Sequence, residues 1–297
     1  MTSITLRTVA SYDQNAWNTQ QYFVGNPLDR SCLTGNRKDP NLLTAVLADD
    51  KTKCLICSQQ LNRSTSKLVL CGKYSPISPF QQLALLSISE TLQVAGCNST
   101  SDLTLFSEVV LLGQDESDCW VISIDVSSNT TGNTDILHTV ANFPKNEKAV
   151  FSFCDARSLL QHASQQYFSK AEVALAGQVF AISGWHARNR FMGSTGQPTV
   201  PVECGMKRSI SSTAREKVYP RIDPVAICLV ISPGGESVLL GRMKRGRPGF
   251  FSCLSGFVDQ CESVQEAVCR EVLEESGILL KPRDVRLVDS QPWPLGK

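Results

Sequence analysis

Three carboxylates near one end of the chain have the types and spacing to do chemistry. Glu271, Glu274 and Glu275 stand at i, i+3 and i+4. At 100° per residue they fall within an arc of about 100° on one face of a helix. Like charges so spaced repel by about a few tenths of a kcal/mol per pair. A hard divalent cation with oxygen preference turns that repulsion into binding, and Mg²⁺ is commonly held by one or two carboxylates together with substrate phosphates. For an isolated E-x-x-E-E, a solvated acidic helix face is the plainer reading.

The surrounding residues change that balance. Gly256, Glu262, Arg270-Glu271-Val272, Glu274-Glu275 and Gly277-Ile278 make nine positions at set intervals. At average residue usage such a set arises by chance at about 10⁻¹⁰ per starting point. The only histidines are His138, His162 and His186, so residues 219–297 contain none. Ser-His-Asp and Cys-His mechanisms within that stretch are thereby excluded. Metal-assisted attack of water on phosphorus remains, with carboxylates holding the ions.

A helix must position these groups. Ser263 with Glu266 three residues later predicts a capping box, and Gly277 is suited to end the helix in the left-handed conformation. Cys269, Val272 and Leu273 lie on other azimuths and can pack inward.

The stretch from Gly256 to Ile278 resembles the Nudix box, and the chain is similar to the Nudix hydrolases, enzymes that cleave a nucleoside diphosphate linked to another moiety. The resemblance implies that Glu271 and Glu275 are ligands of Mg²⁺ or Mn²⁺, and that Glu274 is a ligand or the base. It implies that Arg270 orients the glutamates, that Glu262 supports the loop, and that Ser255 offers a backbone carbonyl to a metal. Ser290-Gln291-Pro292-Trp293-Pro294 resembles a mark of the NADH pyrophosphatase (NAD diphosphatase) subfamily. A Trp held between two prolines is a rigid aromatic wall for a base or nicotinamide ring; the plain alternative is a strand end with a buried Trp. Tyr219-Pro220-Arg221, Asp223-Pro224-Val225, Trp185-His186 and Leu28-Asp29-Arg30 agree with that subfamily. The substrate-binding residues it implies are Tyr219, Phe257, Gln291, Pro292, Trp293 and Pro294.

The implied fold is α/β (α+β), a Nudix α/β/α sandwich with a mixed sheet. Four segments are expected: a loose N-terminal segment over 1–26, a β-rich Nudix-like domain over 27–154, a helical linker over 155–218, and the Nudix domain over 219–297. Thr52–Cys57 with Lys67–Cys71 gives one hairpin signal, and Glu108–Leu112 with Cys119–Val126 gives another. Residues 155–187 have the texture of one or two helices, capped by Asp155 or Ser169. The subfamily carries a four-cysteine zinc ribbon before Tyr219. Residues 188–218 hold only Cys204, with Met192, Thr195 and Ile210 where ligands would stand, so the zinc site is expected to be lost. Cys54 and Cys57 are expected to line a strand. The subfamily continues after S-Q-P-W-P, whereas this sequence closes on Leu295-Gly296-Lys297. The Nudix sheet is therefore expected to be C-terminally incomplete, with Val285–Val288 lacking a partner, Trp293 near the surface, and weak hydrolysis.

Composition bounds the rest. A 42% hydrophobic and 19% charged chain is globular. The net charge of +1 creates no global field for DNA or an acidic membrane, and no apolar run has the ~20 residues of a membrane span. No signal peptide opens the sequence, so reduced thiols inside a cell are expected, whether in the cytoplasm, a peroxisome or a mitochondrion. The leading expectation is metal-dependent hydrolysis of an NAD(H)-type dinucleotide to AMP and nicotinamide mononucleotide. FAD, ADP-ribose, coenzyme A or an NAD-capped RNA end are the other substrates considered. A non-catalytic dinucleotide-binding or dimerisation module is the alternative of another class, which leaves a homodimer open.

Overall fold

A computed structural model describes residues 3–8, 23–60, 66–73, 82–95, 97–106, 108–127, 150–164, 168–244 and 246–294. His138, the Ser/Thr/Asn/Gly loop beyond residue 127 and Leu295–Lys297 lie outside the described residues. The chain divides into two compact units: the N-terminal strand with Arg221–Ser290, and a larger unit of residues up to Pro220 with Gln291 onward.

Strand β1 (Ser3–Thr8) belongs to the smaller unit. The larger unit runs α1 (Leu42–Ala48), β2 (Lys53–Gln60), β3 (Ser66–Lys73), β4 (Gln82–Leu83), β5 (Leu85–Leu86), α2 (Ile88–Ala95), α3 (Thr100–Phe106), β6 (Glu108–Gln114), β7 (Trp120–Asp125), β8 (Val150–Asp155), α4 (Ala156–Ser164), α5 (Lys170–Arg188), β9 (Val200–Val202) and β10 (Lys207–Ser209). The smaller unit resumes with β11 (Val225–Cys228), β12 (Val230–Ile231), β13 (Ser237–Arg242), β14 (Leu254–Phe257) and α6 (Val264–Ser276).

The larger unit is built on a mixed sheet of order β4-β3-β2-β7-β6, with β5 also on β2 and β8 also on β3. β2 and β7 are parallel; β2–β3 and β6–β7 are antiparallel, as the two hairpin signals require. Cys54, Leu55, Ile56 and Cys57 are all buried, the unbroken apolar run of a strand covered on both faces. Alternation sends Leu55 and Cys57 toward Leu159 of α4 and Val173 and Leu175 of α5. It sends Cys54 and Ile56 toward Val46 of α1, Val94 of α2 and Leu103 of α3. Reading 27–154 as β-rich misses those three helices, each of seven or eight residues. Helices that short have weak periodicity and owe their stability to the sheet they cover. Residues 155–218 fold as part of this unit instead of standing apart as a linker.

Helix α5 opens on a full capping box of Ser169 and Glu172. Its last turns are buried, and His186 sits at 0% exposure. His186 Nε2 lies 2.8 Å from the Gly205 carbonyl, so that nitrogen donates; Nδ1 then accepts from Arg208 Nη1 at 2.9 Å. Arg208 also donates to Glu108 at 2.5 Å and to Thr199. Burial holds the imidazole below its ordinary range; Glu108 and Gly205 oppose this, and Arg208 adds to it. A proton on Nδ1 would face the Arg208 N–H. The unfolded chain therefore binds the proton more readily, and stability falls as pH drops from about 6.5 toward the folded value. Urea melts across pH 7.5 to 5 are expected to show this loss, and His186→Gln is expected to flatten it. An unchanged slope in the variant would remove His186 as the cause.

In the smaller unit β1 and β12 both pair antiparallel with β13, so the N-terminal segment contributes a strand that a loose reading of 1–26 does not anticipate. β11 pairs β14. Ala226, Leu239 and Leu254 pack against Ala267, Val268 and Val272 of α6. Residues 285–290 carry no strand, so Val285–Val288 is corrected from an edge strand to irregular chain. Its apolar–polar alternation is that of a half-buried strand, but among the described residues it has no ladder partner, and Leu287 and Val288 stand exposed. The architecture is mixed α/β, and among the described residues no helix is long and apolar enough to cross a membrane.

Candidate active site

Helix α6 is held at both ends by the expected devices. Ser263 Oγ accepts from the Glu266 N–H at 3.3 Å, while the Glu266 carboxylate accepts the Ser263 N–H at 2.8 Å. Gly277 takes φ +76° and donates its N–H to the Leu273 carbonyl at 2.8 Å. Loss of such an N-cap costs about 1 kcal/mol, so the helix that bears the glutamates has a defined start and stop.

Arg270 organises the face. Its Nε and Nη2 donate to the two oxygens of Glu262 at 2.8 and 2.9 Å, a bidentate fork. Nη1 donates to Glu271 at 2.7 Å, and Nη2 to the Phe257 carbonyl at 2.9 Å. The guanidinium pulls the Glu262 carboxyl down to about 2, helped by the Asp259 backbone N–H, and the two glutamates push the Arg270 pKa up in turn. Glu262 and Arg270 thus stay charged through the physiological range and tie the loop after β14 to the helix.

Glu271 is seated by contact as well as by charge. A methyl group on Gly256 would stand 1.9 Å from the Glu271 carboxyl carbon; Gly256 leaves the space in which that carboxylate lies. Glu275 is raised in pKa, chiefly by burial and then by the charges of Glu271 and Glu274, against a hydrogen bond from the Ser255 backbone. Glu271, Glu274 and the Ser255 backbone are thus all neighbours that act on Glu275. Glu274 is open, with its side chain 60% exposed and 3.6 Å from Arg270.

The donor set suits a hard cation: carboxylate oxygens, with Glu275 raised in pKa by burial and by the charges of its two neighbours. Among the described residues no group of three or more His, Cys, Asp or Glu side chains is gathered tightly enough to hold an ion by itself. Mg²⁺ is usually completed by substrate phosphates, so this open arrangement fits a cation that arrives with a phosphorylated ligand.

The aromatic residues divide between the units. Phe257 is opposite Val225 in the β11–β14 register and 63% exposed, on the sheet face away from α6. Tyr219, Gln291, Pro292, Trp293 and Pro294 fall in the larger unit. There Tyr219 is exposed with Lys207 Nζ 4.6 Å over its ring, and Trp293 is exposed with one edge on Phe23 at 6.3 Å. Pro294 is buried. The turn at Met192–Gln197, where the first zinc ligands would stand, closes through backbone bonds from Met192 and Gly196, with Met192 buried.

Residues 221–296 match the NUDIX domain family. The chain is 46% identical over 126 residues to Nudix hydrolase 19, chloroplastic, of Arabidopsis thaliana, covering 42% of this chain and 28% of that protein. It is 41% identical over 132 residues to the NAD-capped RNA hydrolase NUDT12 of Homo sapiens, covering 42% and 28%. To the NAD-capped RNA hydrolase NudC of Mycobacterium bovis it is 41% identical over 120 residues, covering 40% and 37%. The match spans well under half the length of each of these relatives.

Proposed function

We propose that this chain, whose C-terminal region carries a Nudix domain, hydrolyses the pyrophosphate bond of NAD(H)-type dinucleotides to AMP and nicotinamide mononucleotide. The arrangement around Arg270 carries the reading: its guanidinium forks onto Glu262, holds Glu271 at 2.7 Å and stands 3.6 Å from Glu274, on the helix that also bears Glu275. In this reading Glu271, Glu275 and the Ser255 carbonyl hold Mg²⁺ or Mn²⁺, with Glu274 as a further ligand or as base. The metal, when bound, neutralises pyrophosphate charge and polarises the phosphorus under attack. Arg270, clamped by Glu262, keeps Glu271 in register with Gly256. Glu274, open to solvent, is placed to take the proton as a water oxygen attacks phosphorus and the bridging P–O bond breaks. Phe257, in the same unit as the glutamates, is assigned to a ring of the dinucleotide.

The names of the human and mycobacterial relatives support an NAD-type substrate, and an RNA bearing NAD at its 5′ end belongs to the same class. The chain incubated with NADH and Mg²⁺ or Mn²⁺ is expected to release AMP and nicotinamide mononucleotide, and to stop when the metal is chelated. AMP release that persists in excess chelator would overturn the metal role. Binding of NADH without any AMP would overturn the catalytic reading.

A further inference from the structure

Between Glu236 and Asp259 the sequence holds Arg242, Lys244, Arg245 and Arg247 and no acidic residue. The near-neutral charge of the whole chain conceals this run. In the structure Arg242 ends β13, and Lys244 and Arg247 belong to the loop that joins β13 to β14. The loop is closed at its base by a reciprocal pair of backbone bonds between Gly241 and Ser252, both 2.9 Å. Two turns shape it, with the Gly246 N–H on the Met243 carbonyl and the Phe250 N–H on the Arg247 carbonyl. Lys244 and Arg247 are exposed, and neither has a carboxylate partner among the described residues. Met243 is 78% and Phe250 63% exposed in the same loop.

The loop is next to the chemistry in the same unit. Its base at Ser252 is three residues along the chain from Ser255, about 10 Å at the rise of a strand. Two cations without carboxylate partners and an exposed ring on the same loop are the elements of surfaces that follow single-stranded nucleic acid. Cations neutralise successive phosphates and release counterions, and a ring takes a base face at about 1–3 kcal/mol. A dinucleotide whose adenylate ribose is extended through its 3′ oxygen is the 5′ end of an RNA, so the next phosphates of that strand would leave the glutamate site toward such a surface.

We infer that the β13–β14 loop, through Lys244 and Arg247 with Phe250 beside them, binds the RNA strand that follows an NAD-type 5′ end. The inference rests on the dinucleotide reading above and assigns the strand beyond the dinucleotide to named residues of one loop. Two cations spaced along a loop, with a ring, suit a strand better than one additional phosphate.

The test compares the full chain with Lys244→Gln/Arg247→Gln and with Phe250→Ala, all with Mg²⁺. The substrates are NAD, NADP and a short RNA with an NAD 5′ end. Binding of a 5′-phosphorylated RNA of the same sequence is followed by fluorescence anisotropy. The double variant is expected to keep its kcat/KM on NAD and to lose at least about tenfold on the capped RNA. It should bind the 5′-phosphorylated RNA more weakly, with the salt dependence of log K reduced by about 1.4 for two lost phosphate contacts. Phe250→Ala is expected to weaken RNA binding with no change in salt slope. Equal turnover of capped RNA by the double variant and the parent, together with equal RNA affinity, overturns the inference. A loss confined to NADP overturns it too, since the loop would then serve a single ribose phosphate. If the parent releases no AMP from any substrate, the dinucleotide reading fails first, and that result is distinct from either.

Discussion

Replacing Glu271, Glu274 or Glu275 singly by glutamine is expected to lower turnover of NADH by about 10³-fold or more. The change keeps shape and removes one negative charge. Each carboxylate is assigned either to holding the cation or to accepting the proton, and loss of either role is worth several kcal/mol, with about 1.4 kcal/mol per factor of ten. The metal-free protein should behave in the opposite sense. Glu271 and Glu274 both raise the pKa of Glu275, so removing one charge relieves repulsion of about a few tenths of a kcal/mol per pair. Thermal melts without metal are expected to be unchanged or slightly raised for the Glu274 and Glu275 variants, whereas the Glu271 variant also weakens its charged bond from Arg270. The rise in Tm that Mg²⁺ or Mn²⁺ gives the parent should shrink in the Glu271 and Glu275 variants. Inactivity, preserved folding and a lost metal response together separate a site defect from a folding defect. A Glu275→Gln protein that retains a third of the parent's rate would remove Glu275 from the site.

Gly256→Ala is expected to be the most damaging change outside the charged residues, lowering turnover by about 100-fold while the fold persists. Gly256 is a strand residue without a left-handed φ, so alanine meets no backbone strain. The added methyl instead falls 1.9 Å from the Glu271 carboxyl carbon, and the carboxylate must swing away. It then leaves Arg270, its partner at 2.7 Å, and loses its place beside Glu275. A displacement of about 1 Å in a positioned group is enough for a 10²-fold loss. Circular dichroism and the melting midpoint should stay close to the parent, while kcat falls and the Mg²⁺ requirement moves to higher concentration. A rate within a factor of three of the parent would show that Glu271 does not need this seat.

Much of the site is local in sequence, which is why it could be read without coordinates. The glutamates share a face because helical geometry places i, i+3 and i+4 together, and the helix limits follow from Ser263, Glu266 and Gly277 acting on their nearest neighbours. The Arg270 fork could not be read that way, because Glu262 precedes the helix cap and its reach depends on how the loop after β14 folds back. Gly256 stood out as a position in the pattern, but its reason is a contact with a side chain fifteen residues on. The aromatic residues were grouped by resemblance, and the structure assigns Phe257 to one unit and Tyr219 and Trp293 to the other.

The sequence by itself determined the local chemistry: a helix of capped and spaced glutamates in a stretch, residues 219–297, that holds no histidine. It also determined the two antiparallel hairpins and the long α5, whose apolar and capping patterns act over a few residues. Only the tertiary structure decided the rest. It decided that α1–α3 form, since helices so short depend on the sheet they cover. It decided that His186 is a buried neutral group facing Arg208 and Glu108, which come from strands far apart in the chain. It decided that Lys244, Arg247 and Phe250 stand exposed on the loop between β13 and β14. Interactions between neighbours in sequence follow from helix and strand periods, whereas burial, seating and charge pairing across elements depend on which surfaces the packed chain brings together.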